Sequence, residues 1–345
     1  MPSQPTAAPA PRPPLARWLG ASNDVTRTFL AAGAIPDLIN LGGGLPPLET
    51  YPAAELAEIA RAAIAHHPAE ALGYGPIEGL PALRDALAAR LSSPALRLRR
   101  ENVLVTASGL QALDLLGKAL IDEGAPVAVQ DPTYLGALDA WRPRHPAYRP
   151  MRLDAPGFDA LAALTGARFA YTVPNFSNPT GRLVDVATRR ALARAARATG
   201  TWLVEDDPYG ALQYEGAPLP RILTLSAEEE QDGAYDGPVA YLGTLSKAVA
   251  PGLRIGWVAG APALVEALAA AKQGSDLCTG GLSQLVALGA IESGLVDALQ
   301  PRMILLYRER RDALCAALDA HLSEWFVFER PAGGMFVWLR ARDPS

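Results

Sequence analysis

Lysine is nearly absent from this chain of 345 residues: only Lys118, Lys247 and Lys272 occur. Arginine takes almost every other positive position. It serves well as a surface charge, but it cannot lose its proton in a protein. A chemistry that needs a neutral amine must therefore keep a lysine, so each of the three is a candidate. Cysteine is scarce too. Cys278 and Cys315 lie far apart, with no pattern of a disulfide framework or metal site. The four histidines, His66, His67, His145 and His321, show no metal-ligand spacing, so no metal is expected. No apolar run is long and uninterrupted enough to span a bilayer. The first residues, MPSQPTAAPAPRPP, lack the apolar core of a signal peptide and read as a disordered Pro/Ala-rich tail, 1–14. Basic blocks are missing as well. Net charge is −5 and the arginines are spread along the chain, which argues against nucleic acid as a partner. These absences point to a soluble, reduced, cytoplasmic protein.

Half of the residues are hydrophobic. That suffices for a large core and exceeds one typical compact domain, so a large domain with a smaller partner is expected. A short helix is predicted over 15–29. After the glycine turn of INLGGGLPPLETYP comes a helix over 52–67, with Pro52 near its start, where a fixed φ and a missing N–H do no harm. Short β-like runs then alternate with helical patterns. ENVLVT, PVAVQ, RFAYTV, WLVEDD, VAYLG and RIGWVAG read as strands. GLQALDLLGKALI and DVATRRALARAARA read as helices, the second ended by Gly200. Apolar strands in βα alternation indicate a largely parallel sheet covered on both faces. Right-handed crossovers place the strand ends, and any site, on one edge. From Pro262 the pattern turns helical, over 262–271, 282–292 and 296–320, the last amphipathic with arginines on its outer side. WFVFE and GGMFVWLR read as strands of a smaller terminal domain.

Lys247 lies in TLSKAVAPGLRIGW, in a turn between two expected strands. A lysine there is commonly a solvated loop residue. Against that stand the scarcity of lysine, the hydroxyls of Thr244 and Ser246 beside it, and the glycine-bounded strand that follows with Arg254. A Schiff-base lysine needs a depressed pKa, which burial and nearby cations supply. Thr244, Ser246 and Arg254 together can bind a dianionic phosphate through two hydroxyls and one fork-shaped cation. In WLVEDDPYG, Asp206 ends an apolar strand at the edge where a parallel sheet presents its ligand. It reads either as a turn or helix cap, or as the partner of a protonated ring nitrogen, a contact that makes the ring an electron sink. Tyr209 and Asn178 are then placed to reach a phenolic oxygen, although Asn178–Gly181 is by itself a common turn. In VTASGLQALDLL, a strand, a small-residue turn and a helix put Ser108, Gly109 and Leu110 where unpaired N–H groups and the helix dipole favour phosphate. Ser108 is equally an N-cap, and the two roles are compatible. Tyr134, in DPTYLGAL, is either a packing residue or a platform for a flat ring.

YGPIEGLPALRDALAARL, VTASGLQALD, DPTYLGAL, NFSNPTG, VEDDPYG, TLSKAVAPGLRIGW and PAGGMFVWL, in this order and spacing, resemble the class I/II aminotransferases of fold-type I. The likeness is greatest to the branch of aminoadipate and kynurenine aminotransferases and the transaminase-like half of MocR regulators, and it runs from about residue 20 onward. It implies an α/β fold whose large domain has a mostly parallel, seven-stranded-type sheet flanked by helices, plus a smaller α+β domain. The boundaries it implies are an arm over 15–45, a large domain over 46–290 and a small domain over 291–345. The implied cofactor is pyridoxal 5'-phosphate, carried by Lys247. Asp206 pairs with the pyridine nitrogen, Asn178 and Tyr209 hold the phenolic oxygen, and Tyr134 stacks on the ring. Ser108, Gly109, Leu110, Thr244, Ser246 and Arg254 surround the phosphate. Tyr74 resembles the tyrosine that reaches the phosphate of a neighbouring subunit, which implies a homodimer with shared sites. Gly44 resembles the backbone position near the substrate carboxylate, beside Asn178.

The implied activity moves an amino group between an L-amino acid and a 2-oxo acid by a ping-pong mechanism. Other readings are a lyase or decarboxylase on the same fold, a truncated inactive homologue, and a ligand-sensing regulator half. Two departures bear on these. Relatives often carry a Ser–Gln pair where Gly109–Leu110 stand, so side-chain contacts to the phosphate are lost there. The family also continues some tens of residues past GGMFVWL, and that stretch holds the arginine that grips the substrate carboxylate. Arg340 and Arg342 come too early in the pattern to be it, which implies either a truncated chain or another group in that role.

Overall fold

A computed structural model of the protein describes residues 14–21, 25–32, 35–228 and 234–343. The chain separates into two units, Met1–Gly43 and Gly44–Ser345. Within the described part of the first, a 3-10 turn (Arg17–Ala21) precedes helix α1 (Val25–Ala32), where the sequence predicts one helix over 15–29. Apart from Pro14, the expected tail lies outside the described residues.

The second unit opens with α2 (Ala53–His66), α3 (Pro68–Leu72) and α4 (Pro81–Leu91). Strands and helices then alternate: β1 (Val103–Thr106), α5 (Gly109–Leu120), β2 (Pro126–Gln130), α6 (Leu135–Trp141), β3 (Ala147–Met151), α7 (Ala160–Leu164), β4 (Phe169–Thr172), α8 (Val186–Thr199), β5 (Trp202–Asp206), α9 (Ile222–Ala227), β6 (Val239–Thr244) and β7 (Gly256–Ala259). Helices α10 (Pro262–Gln273), α11 (Gly281–Glu292) and α12 (Leu295–Leu322) follow, then a two-stranded pair of β8 (Phe326–Val327) and β9 (Arg340–Ala341).

Seven strands form one sheet in the order β1-β7-β6-β5-β4-β2-β3. Neighbours from β6 to β3 run parallel, and β7 runs antiparallel to both β1 and β6. The carboxyl ends of β1, β2, β4, β5 and β6 therefore share one edge with the start of β7. Strands β1, β4 and β7 are buried along their whole length, as expected of a sheet covered on both faces. The exception is β3, AYRPM, which no apolar run announces. It is one of the two edge strands, mostly exposed, and an edge tolerates Pro150.

Local chemistry sets the helix ends. Asp185 caps α8 by accepting from Thr188 N at 2.9 Å, and Gly200 closes the helix in the left-handed conformation. Trp141 at the end of α6 meets Phe169 and Tyr171 of β4 edge-on, at 5.1 and 5.2 Å. Its Nε1 donates to Leu113 O of α5 at 2.8 Å. Among the described residues no single helix is long and apolar enough to cross a membrane.

Two expectations change. Along α12, Arg302 and Arg310 are exposed, but Arg311 is buried. Its guanidinium donates to Pro331 O, pairs with Glu215 at 2.6 Å and lies over the Tyr214 ring. GGMFVWLR is not a continuous strand; only Arg340–Ala341 pairs in a ladder. The backbone just before Met335 is held by the 212–215 loop instead: Tyr214 N donates to Ala332 O, and Gly334 N donates to Leu212 O.

Candidate active site

Asp206 closes β5 at the shared sheet edge and is buried. Its Oδ2 accepts from the Tyr171 hydroxyl of β4 at 2.6 Å. Burial, together with the like charge of Asp207, lifts its pKa from 3.8 to about 7, while the Tyr171 bond pulls it down. Asp207 turns aside to accept from Gly210 N and the Tyr241 hydroxyl, so it does not compete for the same space. Tyr209 is buried, with its hydroxyl hydrogen-bonded to the Asn178 side chain, and desolvation holds its pKa above the ordinary tyrosine value.

The loop that brings Asn178 to this edge is tied at both ends by buried polar side chains. Gln130 Oε1 accepts from Thr172 Oγ1 and Val173 N, and its Nε2 donates to Ser177 Oγ. Arg189, fully buried on α8, donates to Pro174 O, Asn175 Oδ1 and Val184 O. Burial disfavours its charge and lowers its pKa; these acceptors offset part of that cost, so losing one of them is expensive.

Lys247 sits in the turn after β6 and donates to Gly44 O at 2.9 Å. Desolvation lowers its pKa from 10.5 to about 8. Among the described residues no carboxylate lies within ion-pairing distance of it. The other two lysines are ordinary structural cations. Lys118 pairs with Asp114 and Lys272, fully buried, with Asp276. The acceptor Gly44 has φ +56°, and a Cβ there would stand 2.6 Å from the Phe336 ring, so glycine is favoured both by the backbone and by the space. Phe336 also meets Tyr209 edge-on at 5.5 Å.

Beside Lys247, Thr244 Oγ1 lies 2.9 Å from Ser246 Oγ and 3.1 Å from Ser246 N. Thr244 and Thr106 both pair with Gly256 of β7, which brings the two turns together across the sheet. A Cβ on Gly256 would lie 2.6 Å from Gly109 N, so the start of α5 rests directly on that strand. Ser108 caps α5 by accepting from Gln111 N at 3.2 Å. Nothing lies within 4 Å of the position a Gly109 Cβ would take, and Leu110 is 47% exposed. Arg254 precedes β7 rather than lying in it. It takes a left-handed turn, is exposed, and acts on the Tyr134 hydroxyl by its charge. Tyr134 is half-buried just before α6, with its pKa raised by desolvation and by Asp206. Tyr74 stands apart, 90% exposed.

A buried carboxylate, a desolvated amine, and hydroxyl, guanidinium and helix-start N–H groups thus share one edge. This donor set fits pyridoxal phosphate: the amine for its aldehyde, the carboxylate for its ring nitrogen, the remaining donors for its phosphate. Among the described residues no cluster of His, Cys, Asp and Glu is arranged to hold a metal. Sequence reasoning missed Tyr171, Gln130, Arg189 and Phe336. Tyr171 had a signal, a polar-tipped residue one place before the end of a buried strand. Gln130 and Arg189 bind through contacts distant in sequence and had none.

Residues 36–344 match the family model of aminotransferase class I and II. The chain is 36% identical over 331 residues to aromatic-amino-acid aminotransferase 1 of Thermococcus litoralis, covering 93% of this chain and 78% of that protein. It superimposes on kynurenine aminotransferase of Pyrococcus horikoshii with a TM-score of 0.84 and 34% identity, over 94% of this chain and 80% of the other. It also superimposes on α-aminoadipate aminotransferase of Thermus thermophilus, solved with N-(5'-phosphopyridoxyl)-L-leucine, with a TM-score of 0.80 and 33% identity, over 95% and 84%. With that edge and these relatives, the chain belongs to the class I and II aminotransferases of fold-type I and is a pyridoxal-phosphate-dependent transaminase acting on amino acids and 2-oxo acids.

Proposed function

We propose that Lys247 carries the cofactor and moves the proton in transamination. The observation that carries this is its environment: a desolvated amine with no acid partner among the described residues, on the same sheet edge as the buried Asp206. When bound, pyridoxal phosphate supplies an aldehyde that engages the substrate amine and a ring that takes up electrons as the Cα–H bond breaks. Asp206 holds the ring nitrogen protonated. Asn178 and Tyr209 hold the phenolic oxygen, and Tyr134 stacks against the ring. Ser108, Gly109, Leu110, Thr244, Ser246 and Arg254 bind the phosphate, with backbone N–H groups doing at Gly109 and Leu110 what side chains cannot. Gly44 and Asn178 face the substrate carboxylate. With its pKa lowered to about 8, the Lys247 amine offers a far larger neutral fraction at physiological pH than an ordinary lysine, and it is this neutral form that would accept the α-proton and hold it at Nζ for return.

Residues 46–290, which hold the seven-stranded sheet, form the large domain, and 291–345 belong to a smaller one. The exposed Tyr74 reaches the phosphate of a second subunit, which makes the working form a homodimer with shared sites. Two free cysteines fit a reducing, cytoplasmic setting.

The test is Lys247→Ala with a single-turnover half-reaction. Release of 2-oxo acid from an amino acid falls by about 10³-fold, the scale of a lost general base, and added ethylamine restores part of it. An unchanged rate contradicts the assignment.

A further inference from the structure

Asp206 is the middle of three consecutive carboxylates, each held differently. Glu205, buried, accepts from Ile222 N and Leu223 N at 2.9 Å, at the start of α9. Asp207 is taken by Gly210 N and the Tyr241 hydroxyl. Asp206 meets the Tyr171 hydroxyl at 2.6 Å, and both side chains are buried. Tyr171 pairs with Val204 across β4 and β5, so Asp206, two residues on, stands on the same face of the sheet. The Tyr171 ring is fixed edge-on by Trp141, itself bonded to Leu113 O.

We propose that Tyr171 is a positioning residue for Asp206: its hydroxyl holds Oδ2, favours the ionised carboxylate, and leaves Oδ1 to meet the ring nitrogen of the cofactor. This rests on Asp206 being the partner of that nitrogen. A phenol has one proton to give. Given to a carboxylate, it makes a short charge-assisted bond about twice as strong as a neutral one. Protonating Asp206 turns that bond into a neutral one, or reverses it and leaves the phenol proton buried without an acceptor. The titratable groups acting on this pair are Asp207, just after β5, Tyr134 from the turn before α6 and Tyr209 from the loop after β5. Asp207 disfavours the charge on Asp206, and Tyr171 supports it.

The experiment titrates the carboxylic-acid carbonyl band of the cofactor-free protein by infrared spectroscopy. Asp206→Asn, which lacks the band, assigns it. Tyr171→Phe moves the midpoint up by about one to two pH units, the worth of a hydrogen bond to a charged group. The lower limb of the kcat/KM profile moves up with it, and the high-pH plateau stays near wild type. A merely structural role lowers the profile at every pH without moving it. Replacing Tyr171 by a fluorotyrosine keeps the fold's shape, strengthens the donor and moves the midpoint down. A midpoint unmoved by either replacement overturns the inference. If Asp206→Asn transaminates like wild type, the reading of Asp206 fails instead, whatever Tyr171 does.

Discussion

Replacing Lys247 by methionine stabilises the cofactor-free protein, and the gain depends on pH in a defined direction. The amine is held by desolvation at about 8 in the folded chain, against 10.5 when free. The folded state therefore binds fewer protons than the unfolded state between those values, and wild-type stability rises with pH across that window. Below about pH 8 the full cost of the charged amine is present; above 10.5 it is gone. A gap of 10.5 to about 8 corresponds to about 3 kcal/mol. Methionine keeps the apolar stem, removes the charge and forfeits the bond to Gly44 O, worth about 1 kcal/mol. Lys247→Met is thus more stable than wild type by about 2 kcal/mol at pH 7, and the advantage vanishes by pH 10.5. Urea unfolding of both cofactor-free proteins from pH 7 to 10.5 measures it, since titrations common to the two cancel in the difference. An advantage that is absent at pH 7, or the same at both ends, refutes the desolvated amine.

Three further outcomes follow from the same geometry. Asp206→Asn lowers kcat/KM by roughly 10²–10³-fold, the scale for removing one partner of a buried charge pair, as steady-state kinetics will show. Gly256→Ala pushes a methyl to 2.6 Å from Gly109 N, so it destabilises by about 1–3 kcal/mol and weakens cofactor binding at least about tenfold, read by spectroscopic titration. Lys272→Met breaks the pair with Asp276 and lowers the midpoint of thermal unfolding, at a cost of about 1–2 kcal/mol because the Asp276 carboxylate left behind reaches solvent, while kcat of the folded, loaded enzyme stays at the wild-type value.

The sheet and its edge were legible because buried strands such as VLVT, FAYT and WLVED are short apolar runs set between helical periods. The candidate residues at strand ends were legible for the same reason: Asp206 and Lys247 interrupt apolar runs at the edge where a parallel sheet presents a ligand. Strand β3 was not, since an exposed edge strand needs no apolar pattern. Nor was the path of residues 331–336. Their partners lie in the loop around Leu212, and a contact across some 120 residues leaves no local periodicity. Arg311 is the sharpest case. Its spacing on α12 resembles that of its exposed neighbours, and only the tertiary meeting of Glu215, Tyr214 and Pro331 buries it. Tyr171 lies between these extremes: its strand was predicted, but its bond to Asp206 depends on the β4–β5 register.

The scarcity of lysine makes the central claim unusually direct to test. Treating the cofactor-loaded protein with borohydride fixes the cofactor to the amine that holds it, and peptide mass spectrometry then has three lysines to choose among. The modification is predicted on the peptide containing Lys247, with none on those containing Lys118 or Lys272. Label on either of those two, or none on any lysine of the loaded enzyme, contradicts the account.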